Sequence, residues 1–284
     1  MNDTGDFICI NGTIIPANQP VLMTDNRSFR YGDGLFETMK MINGKIILEE
    51  LHFDRLLKSL KFLKYDLPVS FTIASIRESV QVLAEKNNVS DFCRIRLTIS
   101  RGNGNLHSSA LLKPEYLIEC SVPDVLVNRF NEKGLSVSIY KEARKTCDII
   151  STIKSANFLP YVLGALYAKE NNIDDSILLN VNAGIADATI ANIFLIKDGV
   201  VYTPALTEGC INGVMRRYLL EQFAVAGITY REGTVLEQDL LQADEVFLTN
   251  AVTGIRWVKN CAGKEYSSVV TERLYNDFIK TIFS

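Results

Sequence analysis

One lysine of this sequence differs from the others in its neighbours. Lys154 lies in STIKSANFLPYVLGALYAKE (151–170), among small and apolar residues and just ahead of an amphipathic helix. Lys169, in the same stretch, instead falls where a solvent-facing helical lysine belongs. An extended segment, CDIISTI (147–153), leads into Lys154. The residue is either a solvated loop lysine or a desolvated amine that is neutral enough to act as a nucleophile.

A catalytic amine without metal ligands points to Schiff-base chemistry, for which pyridoxal 5′-phosphate is the commonest reason. The phosphate of that cofactor needs backbone N–H groups at a helix start and preferably an arginine. The turn Asn212-Gly213 precedes a helix that opens at Val214 and Met215, and Arg55 stands in the helical segment HFDRLL. Taken alone, each feature is more typical of an ordinary turn or a solvated arginine.

The ring nitrogen of the same cofactor needs a carboxylate that keeps it protonated. Asp187 lies in NAGIADATIANIF (182–194), a run of small residues before a strand. A turn aspartate fits that position equally well. Asp187 is therefore a candidate whose role depends on the rest of the sequence.

The elements that must position these residues are a mixture of hairpins and helices. FICINGTIIP (7–16) and LFETMKMINGKIIL (35–48) are strand–Asn-Gly–strand patterns, and two amphipathic helices and two strands follow. Further strands, a hairpin at Asp198-Gly199 and several helices occupy the second part of the chain. The pattern predicts an α+β protein with an N-terminal domain (1–122), a linker (123–133) and a larger domain (134–284).

Composition excludes several classes of protein. The 284 residues are 47% hydrophobic and 22% charged. The net charge of −3 gives no sign of the positive surface that binds nucleic acid or an anionic membrane. No apolar run approaches the roughly 20 residues of a membrane span, and the start MNDTGDF is not a secretory signal. Six scattered cysteines and two histidines argue against a disulfide framework or a metal site. We therefore expect a cytoplasmic protein without a bound metal.

Six segments resemble, in order, the motif set of the class IV aminotransferase family, the fold-type IV pyridoxal-phosphate enzymes. They are YGDGLFETMK, HFDRL, IKSANFLP, GIADATIANIFLI, YTPALTEGCINGVMRR and LQADEVFLTNAVTGI. The resemblance extends from Asn11 to about Trp257. It implies a small N-terminal lobe, a larger C-terminal lobe with a β-barrel-like core, pyridoxal 5′-phosphate as cofactor, a small-molecule substrate and a homodimer.

The resemblance also implies residue roles, with Lys154 as the Schiff-base lysine. The positions that match the family's other cofactor contacts are Arg55, Asp187, Val214, Met215, Asn250 and Ala251. Arg55 would bind the phosphate, together with the amides of Val214 and Met215. Asp187 stands where the family normally has glutamate, and its side chain is shorter by about 1.5 Å. We expect Asp187 to face the ring nitrogen, either directly or through a water.

The family catalyses both transamination and elimination. INGVMRR and TNAV resemble the segments of the lyases, and Thr38 stands where the lyases carry threonine, whereas branched-chain aminotransferases often have tyrosine at the position of Phe158. The resemblance thus favours a lyase of folate biosynthesis that converts 4-amino-4-deoxychorismate to 4-aminobenzoate and pyruvate. A branched-chain or D-amino acid aminotransferase is the alternative. The Thr38 hydroxyl could relay a proton, or Thr38 could be an ordinary strand threonine.

Substrate contacts are expected from Tyr31, which leads the YGDG loop, and from Arg101, which ends the strand RIRLTISRG. Arg96 and Arg94 compete with Arg101 for a substrate carboxylate, since one face of this strand could point inward. Lys40 is either an exposed strand lysine or a further positive charge near the substrate.

Overall fold

The computed structural model describes residues 5–107, 113–123 and 128–284. The chain separates into two units, of which unit 1 comprises Met1–Asp124 with Lys154–Asn157 and unit 2 comprises Val125–Ile153 with Phe158–Ser284. Residues 154–157, placed in the larger domain by the sequence, therefore group with unit 1. Residues 124–127 of the expected linker lie outside the described residues, and the domain division at 122 and 133 stays a prediction.

Unit 1 is built on a six-stranded antiparallel sheet. Its strands are β1 (Phe7–Ile10), β2 (Thr13–Pro16), β3 (Gly34–Ile42), β4 (Lys45–Ile46), β5 (Phe92–Ser100) and β6 (Glu115–Ser121). They lie in the order β2-β1-β6-β5-β3-β4. Both Asn-Gly hairpins are confirmed, and at the first of them Asn11 and Gly12 have φ angles of 50° and 88°, the left-handed conformation that a tight hairpin turn requires.

The sheet of unit 1 has one apolar face and one polar face. The predicted amphipathic helices α2 (Glu49–Phe62) and α3 (Ile73–Lys86) contribute to the core on the apolar face, and a short helix, α1 (Arg27–Tyr31), precedes β3. Alternate residues of β5 from Cys93 to Ile99 are fully buried, whereas the residues between them, including Arg94 and Arg96, are half-exposed. We call the side that carries these arginines the polar face of the sheet.

Unit 2 contains a second, larger sheet of nine strands. They are β7 (Leu135–Lys145), β8 (Asp175–Asn180), β9 (Ile185–Ala188), β10 (Asn192–Lys197), β11 (Val200–Pro204), β12 (Tyr230–Gly233), β13 (Glu245–Asn250), β14 (Gly254–Cys261) and β15 (Lys264–Glu265). The order is β12-β11-β10-β13-β14-β7-β8-β9, with β15 beside β14. Ile185 on the last strand donates to the Val235 carbonyl, 2.7 Å away and just beyond β12. The two ends of the sheet therefore approach each other, which gives the barrel-like core that was expected.

Four helices accompany this sheet. They are α4 (Leu159–Glu170), α5 (Val214–Ala226), α6 (Glu237–Gln242) and α7 (Val269–Leu274), and the last continues as a π turn over Tyr275–Ile279. The segment before Lys154, expected to be extended, is instead a 3₁₀ turn over Ile149–Thr152, in which the Ser151 amide donates to the Asp148 side chain. In the described part of the chain, no helix is both long and apolar enough to cross a membrane.

Candidate functional site

Lys154 is anchored to unit 1 by its backbone. The amide of Phe36 donates to the Lys154 carbonyl, and the amide of Ala156 donates to the Gly34 carbonyl, each at 2.9 Å. The segment therefore runs antiparallel to the start of β3, with a bridge between Leu35 and Ser155. The Lys154 Nζ atom lies 4.5 Å from the centroid of the Phe36 ring. A strand thus fixes the lysine, and its amine lies against an aromatic face.

The polar face of the sheet brings two other predicted residues to this point. Thr38 on β3 and Arg96 on β5 are direct cross-strand partners. The Arg96 guanidinium carbon lies 4.0 Å from the centroid of the same Phe36 ring, and Arg96 also lies 4.0 Å from Glu119. Lys154, Thr38 and Arg96 therefore form one group around Phe36, which we call the Phe36 cluster.

Lys40 lies on the same face of β3, opposite Arg94. The interpretation of Lys40 as an exposed strand lysine is wrong, since its side chain is fully buried. Burial lowers the pKa of Lys40 to about 7. Arg94 and Lys40 both stay candidates for contact with an anionic substrate.

Arg55 is oriented by a buried carboxylate that the sequence analysis missed. Glu37 on β3 accepts from Arg55 Nε at 2.8 Å and Nη2 at 2.5 Å, and from the Nδ1 atom of His52 at 2.7 Å. Burial alone would raise the pKa of Glu37, but the charge of Arg55 and the hydrogen bonds from His52 and Arg55 hold it at about 2. Burial lowers the pKa of His52, so its ring is neutral and donates from Nδ1. The carboxylate thus fixes the fork of Arg55 for a further anion.

Arg101 is engaged within unit 1. Its Nε atom donates to Asp33 at 2.9 Å, its two terminal nitrogens donate to the carbonyls of Leu63 and Lys64, and its guanidinium stacks on Tyr65. This geometry does not favour the predicted role of Arg101 as the ligand of a substrate carboxylate. Of the three candidate arginines, Arg96 is the one that lies with Lys154.

The same aspartate fixes the loop that follows Tyr31. Asp33 also accepts from Arg27, with 2.7 Å between the Arg27 Nη2 and Asp33 Oδ2 atoms, and its carbonyl accepts from Ser28 at 2.8 Å. Tyr31 ends α1 with a partly exposed ring, 5.9 Å from the Arg27 guanidinium. The loop is held rigidly, and Tyr31 stays a candidate for substrate contact.

Asp187 lies in unit 2 on strand β9 and not in a turn. It is opposite Leu178 of β8 and almost fully buried. Its Oδ2 atom accepts from Lys145 Nζ at 2.8 Å, from the Tyr161 hydroxyl at 2.8 Å and from the Ile211 amide at 3.0 Å. Its Oδ1 atom accepts from Asn192 Nδ2 at 2.8 Å. The candidate carboxylate is thus the centre of a buried polar cluster, which we call the Asp187 cluster.

Asn192 connects this cluster to the start of α5. A Cβ atom on Gly213, the residue that caps α5, would lie 1.9 Å from Asn192 Oδ1, so only glycine fits there. Within the part of the chain that the structure describes, no side chain caps this helix. The side chains of Val214 and Met215 are buried, so these two residues can offer only their amides. The hydroxyl of Thr249, the cross-strand partner of Asn192, is buried without a hydrogen-bond partner among the described residues.

Asn250 and Ala251 follow Thr249 at the end of β13. The Asn250 side chain accepts from the amides of Val252 and Thr253, at 3.0 and 2.8 Å, and so closes its own turn. Ala251 has no polar side-chain atom. A phosphate contact from Ala251 would therefore come from its main chain, whereas Asn250 could also donate from its Nδ2 group.

The residues fit pyridoxal 5′-phosphate. Unit 2 offers an uncapped helix start and an orphaned hydroxyl, which suit a phosphate, and a carboxylate surrounded by donors, which suits a protonated ring nitrogen. Unit 1 offers a lysine amine against an aromatic ring and an arginine held by an acid. Sequence reasoning missed Glu37, Asn192, Lys145 and Tyr161, although Glu37 and Asn192 stand inside the quoted motifs.

Comparisons with known proteins agree with this chemistry. The family model described as "Amino-transferase class IV" matches residues 34–261. A D-alanine aminotransferase of Listeria innocua is 26% identical over 97% of this chain and 96% of its own length. An aminodeoxychorismate lyase of Bacillus subtilis is 30% identical over 88% of this chain and 84% of its own.

Solved structures show the same fold. A branched-chain aminotransferase of Thermobaculum terrenum in its PLP form has a TM-score of 0.84 at 19% identity, covering 99% of this chain and 95% of its own. A putative 4-amino-4-deoxychorismate lyase of Legionella pneumophila has a TM-score of 0.82 at 22% identity, covering 94% of this chain and 97% of its own. At these identities the likeness establishes the fold, and it confirms the fold expected from the resemblance.

Proposed function

The chain belongs to the class IV aminotransferase family, and from that premise we propose that it is a pyridoxal-phosphate-dependent lyase that converts 4-amino-4-deoxychorismate to 4-aminobenzoate and pyruvate. The observation that carries the proposal is the Phe36 cluster, because it puts the Thr38 hydroxyl on the sheet face of Lys154, opposite Arg96. An aminodeoxychorismate lyase at 30% identity supports the same activity.

The cofactor-binding roles follow from the two sets of residues. Arg55, held by Glu37, and the amides of Val214 and Met215 would bind the phosphate, and Asp187 would accept a hydrogen bond from the protonated ring nitrogen. When bound, pyridoxal 5′-phosphate supplies a carbonyl that condenses with amines and a ring that accepts an electron pair. Tyr31, Asn250 and Ala251 are placed at the site on the family resemblance alone.

The reaction requires the removal of one proton, the cleavage of one carbon–oxygen bond and the delivery of one proton to the leaving group. Lys154 Nζ takes the proton from the carbon that bears the substrate amine, and the bond from the adjacent carbon to the enolpyruvyl oxygen breaks. The enolpyruvate takes up a proton and becomes pyruvate, while the ring becomes aromatic, so no external oxidant is needed. Thr38 would hydrogen-bond to the departing oxygen or relay that proton. Arg96 would hold a substrate carboxylate.

A second candidate function is aminotransfer. A D-alanine aminotransferase resembles 97% of this chain, and a Lys154 amine that gave back the proton it had taken, with no leaving group departing, would serve that activity. The two activities need the same cofactor residues, so only the fate of the substrate separates them.

Turnover of 4-amino-4-deoxychorismate by the cofactor-loaded protein tests the proposal. We expect 4-aminobenzoate and pyruvate in equal amounts, a loss of at least about a hundredfold in Lys154→Ala, and an unchanged rate in Lys169→Ala on the exposed side of α4. Thr38→Val should lower the rate of the lyase without lowering cofactor content. Absence of both products, with amino-group transfer from D-alanine or a branched-chain amino acid, would make the protein an aminotransferase.

A homodimer is part of the proposal. Four large apolar side chains on the outer side of α4 are 37 to 66% exposed, namely Leu159, Val162, Leu163 and Leu166. Such a continuous apolar surface favours contact with a second copy of the chain. Light scattering of the purified protein should give twice the 31.8 kDa chain mass, and Leu163→Glu should shift that mass toward the monomer. A cytoplasmic location stays a prediction from the sequence.

A further inference from the structure

Lys145 is a buried lysine to which the reaction above gives no role. It ends β7 in unit 2, and its side chain is only 6% exposed. Its Nζ atom donates to Asp187 Oδ2 at 2.8 Å and to the Tyr161 hydroxyl, and it lies 4.7 Å from the centroid of the Tyr161 ring. A lysine at this position has therefore been taken out of water to contact one carboxylate and one phenol.

The two oxygens of Asp187 are used unequally. Oδ2 accepts three hydrogen bonds, from Lys145, Tyr161 and the Ile211 amide, whereas Oδ1 accepts one, from Asn192, in the part of the chain that the structure describes. A carboxylate oxygen has two lone pairs, so Oδ2 is saturated and Oδ1 retains room for one further donor. The arrangement fixes the rotation of the carboxylate and leaves Oδ1 as the oxygen that can accept from a further donor.

The four partners that Asp187 has among the described residues are all donors. A protonated carboxyl would need an acceptor for its own O–H group, and the Tyr161 hydroxyl oxygen, which could serve, already accepts from Lys145. Burial and the charge of Asp187 raise the pKa of Tyr161 well above its usual range, so the phenol remains a donor. Burial and the same charge raise the pKa of the neighbouring Cys210 thiol to about 12, so the thiol stays neutral. Lys145 is therefore the cation that balances Asp187 within this cluster.

We propose that Lys145 is a positioning residue that holds Asp187 ionised and turned so that Oδ1 accepts the ring N–H of the cofactor. Tyr161 completes the arrangement, because its hydroxyl accepts from Lys145 and donates to the same Oδ2 atom. The proposal rests on the pyridoxal-phosphate site proposed above, but it does not depend on whether that site eliminates or transfers an amino group.

Stability alone gives a weak reason for such a pair. Apolar residues of similar size usually replace a buried ion pair without loss of stability, because desolvation of the two charges offsets their attraction. The Lys145–Asp187 pair is thus better explained by what it does to Asp187 than by what it adds to the fold. The proposal therefore predicts that the wild type and a variant without the Lys145 charge take up different numbers of protons when a cofactor analogue binds. This difference can be measured without turnover.

The probe is 4′-deoxypyridoxine 5′-phosphate, which has the ring nitrogen and the phosphate but no carbonyl that could condense with Lys154. Its binding is measured by calorimetry in buffers of different ionisation enthalpy, above the pH at which the free probe loses its ring proton. In the wild-type protein Asp187 is already ionised, so binding should take up about one proton to form the ring N–H. In Lys145→Met the buried Asp187 should carry a proton before binding, so the uptake should be close to zero.

Three variants separate this proposal from a merely structural role. Lys145→Arg keeps the charge and should restore the wild-type proton uptake, whereas Lys145→Gln keeps a donor without the charge and should behave like Lys145→Met. Lys141→Met, at an exposed lysine of the same strand, should match the wild type. Equal proton uptake in wild type, Lys145→Gln and Lys145→Met would overturn the proposal, even if affinity fell in the variants. If the wild-type protein does not bind the probe, the cofactor site itself is refuted, and the role of Lys145 with it.

Discussion

The two units each bury a carboxylate against a cation, and in our proposal the two pairs have opposite roles. In unit 1, Glu37 and its partner Arg55 are both largely buried, and in our proposal the arginine meets the cofactor while the acid supports it. In unit 2, Asp187 and Lys145 are buried to a similar degree, and the acid meets the cofactor while the lysine supports it. The comparison shows that the supporting partner has to be identified from contacts, because charge and burial alone are the same in both pairs.

The largest expected effect comes from removal of the acid in unit 2. Asp187→Ala leaves the Lys145 ammonium buried without its carboxylate, which should lower the free energy of unfolding by about 3 to 5 kcal/mol. It should also abolish retention of pyridoxal 5′-phosphate through gel filtration. Urea unfolding and cofactor absorbance measure the two effects, with the exposed Asp277→Ala as the control. An Asp187→Ala protein with unchanged stability and cofactor content would remove Asp187 from the site.

The contribution of the acid in unit 1, Glu37, to the stability of the fold should depend on pH. The pKa of Glu37 is lowered from its ordinary value of 4.5 to about 2. At pH values above 4.5 its ionised form therefore stabilises the fold by about 3 kcal/mol. That contribution should be lost progressively as the pH falls from about 4.5 toward 2. Glu37→Gln should therefore be much less stable than the wild type at neutral pH and approach it in acid. A stability difference that is constant between about pH 7 and pH 3 would contradict this account.

Local signals in the sequence predicted much of the fold. The Asn-Gly hairpins and the amphipathic helices α2 and α3 appear where the pattern placed them, because the turn type and the helical period are set by neighbouring residues. Strand β9 was missed, since in its sequence IADA only Ile185 is a β-branched residue of the kind that marks a strand, and two alanines and an aspartate follow it. Its strand form is fixed by pairing with β8, which no local pattern records.

The supporting residues of the site were missed for the same reason. Lys145 and Tyr161 lie 42 and 26 positions from Asp187 in the chain, and Arg101 lies 68 positions from Asp33. The sequence identified Arg101 as a strand-end arginine but could not show that Asp33 occupies it. Motif resemblance indicated the residues that we propose to meet the cofactor, whereas the contacts that orient them required the fold.

A smaller effect should show whether Arg55 in unit 1 binds the phosphate through its charge alone or also through the geometry of its guanidinium. Arg55→Lys retains a cation beside Glu37 but loses the two parallel hydrogen bonds of the guanidinium fork. We expect the affinity for 4′-deoxypyridoxine 5′-phosphate to fall about tenfold, close to 1.4 kcal/mol, because a lysine is held less rigidly toward the phosphate. Titration calorimetry measures it, with the exposed Arg77→Lys as the control. Unchanged affinity would mean that Glu37 balances charge without orienting Arg55.

The smallest effect should come from an aromatic contact beside the Asp187 cluster. The ring of Phe158 stacks on that of Tyr161, with centroids 4.3 Å apart and planes within 20°. Phe158→Leu keeps an apolar side chain but removes the stack, so the free energy of unfolding should fall by about 1 kcal/mol, whereas Phe158→Tyr keeps the ring and should stay near the wild type. If Phe158→Leu also changes the proton uptake on probe binding, the stack helps to hold the Tyr161 hydroxyl on Asp187. If only stability changes, Lys145 and the other donors hold the Asp187 carboxylate without help from the stack, and the comparison between the two units depends on their two ion pairs alone.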